Sequence, residues 1–100
     1  MFGTIAHATL KPGMTARLAE FDAEWEREIR PQVPGAFVQL AGHLAGRPDQ
    51  IVFVALARDE ATYRALADLP AQHAFYLRFN ECFTAEPTWQ DVELDWVGQH

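Results

Sequence analysis

Ile51-Val52-Phe53-Val54-Ala55-Leu56-Ala57-Arg58 (residues 51–58) is apolar at every position but the last. Successive side chains of a strand point to opposite faces. Val52, Val54 and Leu56 therefore share one face, and Ile51, Phe53, Ala55 and Ala57 share the other. A strand that is greasy on both sides is covered on both sides. What covers each side decides the architecture.

Working back from this strand, Gly46-Arg47-Pro48-Asp49 is turn chemistry and predicts a hairpin with a strand over Ala36 to Ala45. In that partner, Val38, Leu40 and Leu44 share one face, and Phe37, Gln39, Ala41 and His43 the other. Before it, Met14, Leu18, Phe21, Trp25 and Ile29 recur at spacings of four, three, four and four, which places them on one face of a helix. Glu20, Asp22, Glu24, Glu26 and Glu28 fill the rest of its surface with Arg17, Arg27 and Arg30, and Glu26 and Arg30 stand four residues apart as a favourable pair. Pro31 ends this helix, and Pro34-Gly35 turns the chain. The first strand is expected over Phe2 to Leu10, stopped by Lys11-Pro12-Gly13.

Forward of residue 58, Asp59 or Thr62 caps a second helix expected from about Glu60 to Thr84, which Pro70 must break or kink. Tyr63, Leu66 and Leu69 share a face before the break. After it, Phe75, Tyr76, Phe79, Cys82 and Phe83 fall within an arc of about 120° at 100° per residue. A last strand is expected from Trp89 to Gly98, with Val92, Leu94 and Trp96 on one face.

The order is βαββαβ, two halves of similar length without a visible sequence repeat. It is the ferredoxin-like motif: a four-stranded antiparallel sheet with both helices on one face, in a single α+β domain over residues 1–100. Its helices cover one side of the 51–58 strand and leave the other bare. An exposed apolar face of several hundred Å² is uncommon, and burial releases about 25 cal/mol per Å². A second copy packed sheet on sheet about a two-fold axis is the simplest cover, so the expected assembly is a homodimer.

The 100 residues carry a formal net charge of −6, from 14 acidic and 8 basic side chains, with no basic patch of the kind that binds phosphate. Neither nucleic acid nor an anionic membrane is an expected partner. No apolar run approaches the ~18 residues of a membrane span, and the N-terminal residues show no basic leader. A cytoplasmic protein is expected. Cys82 is the single cysteine, excludes an intrachain disulfide and reads as a buried, inert thiol.

These features together resemble the dimeric α/β-barrel superfamily. They are the strand into Lys11-Pro12-Gly13, the amphipathic first helix, the Pro34-Gly35 turn and the 51–58 strand. Asp59-Glu60-Ala61-Thr62-Tyr63-Arg64-Ala65-Leu66 and Pro70-Ala71-Gln72-His73-Ala74-Phe75-Tyr76 are similar to the second helix of the antibiotic-biosynthesis-monooxygenase-like family, with its acidic cap, small or aromatic pair and histidine. The similarity covers essentially the whole chain. It implies a dimeric α/β barrel and one of three roles: a cofactor-free monooxygenase of quinols or anthrones, a haem-degrading enzyme, or a protein without activity. Haem-degrading relatives combine an asparagine on the first strand with a tryptophan and a histidine on the second helix. Here His73 could take the histidine position and Tyr63 lies near that of the tryptophan, whereas the first strand offers Ala6 and His7 and no asparagine.

For chemistry, His73 follows the Pro70 break at the rim of the aromatic arc, with Asn80 seven residues on. A histidine there could accept a phenolic proton, since its ordinary pKa is near 6.5; equally, it could be a partly exposed residue bonded locally. His7, on the first strand, is a second candidate base. The third strand should separate it from His43 by about 9–10 Å, and no HxH or HxxxH spacing occurs, so no metal site is expected. Tyr63 and Tyr76 could bind a ligand carbonyl or be satisfied core tyrosines. Arg58 could orient an anionic group or pair with Glu60. Trp25 reads as core, and Trp89 and Trp96 as supports for the last strand and the dimer contact. There is no GxGxxG, P-loop lysine, CxxC, GxSxG or HExxH motif. The expectation is a small apolar pocket between sheet and helices that takes an aromatic, quinol-type molecule without a cofactor. The alternative is a binding or structural dimer built on the same pocket.

Overall fold

The computed structural model describes residues 1–96 and Gly98. Strand β1 (Phe2–Thr9) leads to helix α1 (Thr15–Glu24), which runs on through a π-helical turn (Trp25–Ile29) and a 3-10 turn (Arg30–Gln32) that contains Pro31. Strands β2 (Phe37–Leu44) and β3 (Arg47–Ala57) form the hairpin. Helices α2 (Glu60–Ala67) and α3 (Pro70–Phe79), a 3-10 turn (Asn80–Cys82) and strand β4 (Thr88–Glu93) complete the order. All pairings in the sheet are antiparallel and its strand order is β2-β3-β1-β4, the ferredoxin-like arrangement. Among the described residues no helix is long and apolar enough to cross a membrane.

Several boundaries differ from expectation, each for a local reason. The hairpin turn is Ala45-Gly46, with Gly46 at a φ of +74°, and β3 already begins at Arg47. Pro48, expected in the turn, lies inside the strand. The register to β2 shifts beside it, between His43 and Leu44, where a residue without an N–H does least harm. The second helix is two helices, because Pro70 takes the first turn of α3 and leaves Asp68-Leu69 as a hinge. It ends at Phe79 and not Thr84. Strand β4 stops at Glu93, after which Met1 and Leu94 exchange backbone hydrogen bonds of 2.9 and 2.8 Å. Val97, within the longer strand expected, lies outside the described residues.

Two expected ion pairs are replaced. Glu26 and Arg30 do not pair, since a π-helical turn closes five residues on and takes i and i+4 out of line. Arg27 meets Glu28 instead, at 3.0 Å. Arg58 pairs with Asp59 at 3.4 Å rather than with Glu60, which pairs with Arg64 at 3.5 Å. Asp59 is the cap of α2: its carboxylate accepts the Thr62 N–H at 2.9 Å, and these bonds hold its pKa below the ordinary carboxylate value.

The helices lie on the face carrying Phe2, Thr4, Ala6 and Ala8 of β1 and Ile51, Phe53 and Ala57 of β3, all buried. Against them pack Phe21, Trp25 and Ile29 from the first helical run and Leu66, Phe75 and Phe79 from α2 and α3. Phe21 meets Phe75 and Phe79 edge-on, with centroids 5.7 and 6.0 Å away, and Phe79 lies 5.3 Å from Phe53. Cys82 is fully buried, and burial raises its thiol pKa. The other face has rows Val38–Leu56–Gly3–Val92 and Leu40–Val54–Ile5–Gln90, and no helix of the described residues covers it.

Candidate functional site

A cavity of about 110 Å³, partly open to solvent, lies between the covered face of the sheet and the helices. The sheet supplies Thr4, Phe37, Gln39, Phe53, Ala55 and Trp89; the helices supply Asp22, Trp25, Tyr63, Leu66, Ala67, Gln72, Phe75, Tyr76 and Phe79. Aromatic rings make most of this wall. Several are fixed by their polar atoms. Trp25 Nε1 donates to Gln72 Oε1 at 2.9 Å, and its ring lies 5.6 Å from that of Phe37. Trp89 Nε1 donates to the Tyr76 hydroxyl at 3.0 Å, and that hydroxyl donates to Glu86 Oε1 at 3.3 Å. Thr4 Oγ1 donates to the Gln90 carbonyl at 3.1 Å. Burial first, and then the charge of Asp91, raises the Tyr63 phenol above its ordinary pKa.

Local structure explains these positions. Trp25 opens the π-helical turn, a widened turn that recurs at functional sites. Asp22 precedes Trp25 by three residues and so sits about 60° around the helix from it, at the edge of the buried stripe. It is half-buried, and among the described residues it has neither a hydrogen bond nor an ion pair through its side chain. Burial raises its carboxyl pKa above the ordinary value.

Of the residues singled out from sequence, Tyr63 and Tyr76 line the cavity. His73 is exposed on α3, and His7 is exposed on the far face of the sheet, opposite Val52 and Thr88. Neither borders the cavity. Asn80 lies beyond it, at the end of α3, with its Oδ1 buried and without a partner among the described residues. Arg58 borders a separate apolar groove with Met1, Val38 and Leu56 on the far face. β3 does separate His7 from His43, and the His43 ring bonds the Leu44 carbonyl at 2.9 Å. Trp89 lies on the helix-covered face, with its ring 5.6 Å from that of Tyr76. Sequence reasoning missed Asp22, Gln39 and Gln72. Asp22 looked like one of five alternating acids on a solvated face; its position three residues before Trp25 is the signal that separates it from the others.

Haem does not fit this cavity. Sites for drug-sized ligands run to about 300–1,000 Å³, against about 110 Å³ here, and no histidine among the described residues lines the wall. Nor do three His, Cys, Asp or Glu side chains gather into a metal-holding group among the described residues.

No family model and no curated protein matches the chain. Solved structures do. A protein named antibiotic biosynthesis monooxygenase superposes with a TM-score of 0.76 at 17% identity, covering 95% of this chain and 99% of that one. A protein of Deinococcus radiodurans given the same name provisionally reaches 0.81 at 11% identity, over 100% of this chain and 98% of its own. A protein of unknown function from Nitrosomonas europaea reaches 0.71 at 24% identity, over 99% and 93%. The fold is thus the ferredoxin-like α+β fold of proteins named antibiotic biosynthesis monooxygenases, matched over nearly the full length of both partners.

Proposed function

We propose that this single-domain chain is a cofactor-free monooxygenase of single-ring, electron-rich aromatics such as quinols, acting as a homodimer. The observation that carries this is the cavity: aromatic walls, few polar groups, and room for about one ring. An apolar cavity of roughly 150 Å³ admits benzene. At about 110 Å³ with an open side, this one holds a ring whose substituents reach the mouth. Tyr63 and Tyr76 are the proposed binding residues, with Gln72 beside them.

The chemistry needs no bound redox group. Loss of a phenolic proton leaves an electron-rich anion that dioxygen can oxidise. Oxygen adds to a ring carbon, and loss of water from the hydroperoxide leaves a hydroxyquinone. Quinol plus dioxygen thus gives hydroxyquinone plus water. The protein contributes orientation and exclusion of water. The dimer is supported by the uncovered sheet face, where Val38 and Leu40 are 45% and 59% exposed beside Val54 and Leu56.

The test is oxygen uptake with a panel of single-ring quinols, with mass spectrometry of the product. Turnover with one oxygen atom incorporated is expected, and Phe75→Ala or Tyr76→Ala should lower kcat/KM by about tenfold or more. His7→Ala and His73→Ala should stay within about twofold of the parent, since neither residue borders the cavity. Absence of uptake across the panel rejects the enzyme reading and leaves a binding module.

A further inference from the structure

We propose that Asp22 is the proton acceptor of this cavity, taking the hydroxyl proton of a phenolic ligand seated against Trp25. The proposal rests on the functional reading above and assigns the base that reading requires.

Three of the wall's other polar groups are already engaged; Gln39 and Tyr63, which also line it, are uncharged side chains. The Tyr76 hydroxyl both accepts from Trp89 and donates to Glu86. The Thr4 hydroxyl donates to the Gln90 carbonyl, and the Gln72 carbonyl oxygen accepts from Trp25. Asp22 alone offers the cavity a charged acceptor with no partner among the described residues. A carboxylate without a donor in a half-buried, aromatic setting is costly, and a ligand hydroxyl supplies the missing bond. Because the Gln72 oxygen is held by Trp25, its Nε2 keeps two free N–H donors and can hold an oxygen of the same ligand. The wall therefore pairs an acceptor with a donor, which selects a ligand bearing O–H on a ring and rejects one bearing a carboxylate.

Burial also makes Asp22 a stronger base than an exposed aspartate, which narrows its gap to a phenol. The ionisable groups on the elements around it do not displace this. Arg17 pairs with Glu20, Arg78 on α3 is held by both oxygens of Glu24 at 3.0 Å, and the buried Cys82 thiol, which the charge of Asp22 reaches, is itself raised chiefly by burial. Burial is what shifts Asp22. In the step itself, the phenolic O–H breaks and its electron pair stays on the ring oxygen, while the proton forms the carboxylic acid of Asp22. Dioxygen is the oxidant. The peroxide formed at a ring carbon takes up that carbon's C–H proton as the carbon becomes a carbonyl, the O–O bond breaks and hydroxide departs; Asp22 gives the phenolic proton to this hydroxide, which leaves as water, and is again a carboxylate.

Two measurements on the full chain and its Asp22→Asn variant test this. In the first, oxygen uptake with quinols should fall about 100-fold or more in kcat, with KM changed by less than about threefold; Asp22→Asn within about threefold of the parent overturns the proposal while leaving the functional reading intact. In the second, 4-nitrophenol is bound, followed by tryptophan fluorescence, and the bound phenol is titrated through its phenolate absorption. An ionised Asp22 opposes a second negative charge, so the bound phenol should stay protonated to higher pH in the parent than in Asp22→Asn. Equal titrations, or no binding by the parent, overturn the proposal. If the parent consumes no quinol yet shows the titration difference, the enzyme reading fails and Asp22 stands as the phenol acceptor.

Discussion

Phe53 and Val54 are neighbours on one strand, yet they live in different surroundings. Phe53 is buried against Phe79 and Phe83 under the helices; Val54 lies in a row with Leu40 and Ile5 that the chain's own helices leave uncovered. The covered face is aromatic and closes around a small cavity. The open face is mainly aliphatic, with β-branched and leucine side chains, and among the described residues no helix lies above it. A sheet with helices on one side only can bury one of its two apolar faces, so composition alone cannot say that both are finished. The difference separates what holds the monomer together from what remains available to a partner.

The largest effect should come from the covered face. Phe21 is 1% exposed and touches Phe75 and Phe79, with Arg17 and Arg78 placed over its ring. Phe21→Ala should cost about 3–5 kcal/mol, enough to unfold a marginal domain. The midpoint of denaturant unfolding measures it. A loss below about 1 kcal/mol would mean that the aromatic cluster is not the chain's main support.

On the open face the same strand system should behave differently. Leu40→Glu removes apolar surface that touches nothing in the monomer's core, so the fold should survive with its circular dichroism unchanged. Two copies packed on this face would then bury a charged side chain from each in the interface. Sedimentation should show a dimer for the parent chain and a monomer for Leu40→Glu. Dimers of equal strength in both, or monomers in both, would break the link between the open face and assembly.

Much of this contrast is legible in residues 51–58. Alternation separates Ile51, Phe53, Ala55 and Ala57 from Val52, Val54 and Leu56, and the structure keeps those two sets apart. The helix stripe of Phe21, Trp25 and Ile29 is likewise buried as its spacing implies, and Asp59 caps α2. Less legible is anything set by crossing angles and depth. A period of two says that His7 shares a face with Ile5 but not which face the helices cover, so His7 could be a site residue on sequence grounds and yet lie across the sheet from the cavity. A period of 3.6 puts His73 at a rim without saying whether that rim meets the sheet or solvent. Asp22 fails in the opposite sense. Its pattern is that of a solvated acid, and only the approach of α3 and β2 to the same side of Trp25 makes it part of a wall.

The smallest effect sharpens the contrast within the covered face itself, where Asp22 is the one carboxylate among the described residues that lines the cavity. Burial raises its pKa in the folded chain above the unfolded value. A group shifted in that direction favours the folded state fully below its unfolded pKa, and this contribution is lost as pH rises through the folded pKa. Near neutral pH the folded chain therefore bears the cost of an ionised, half-buried carboxylate. Asp22→Asn should raise the melting temperature slightly at pH 7 and bring no gain at low pH, where the parent's carboxyl is already protonated. Melting curves of both proteins across this range measure it. An Asp22→Asn chain that melts lower at pH 7 would show that the carboxylate is held by a favourable interaction of the free protein, and the vacant acceptor that a bound phenol is meant to fill would not exist.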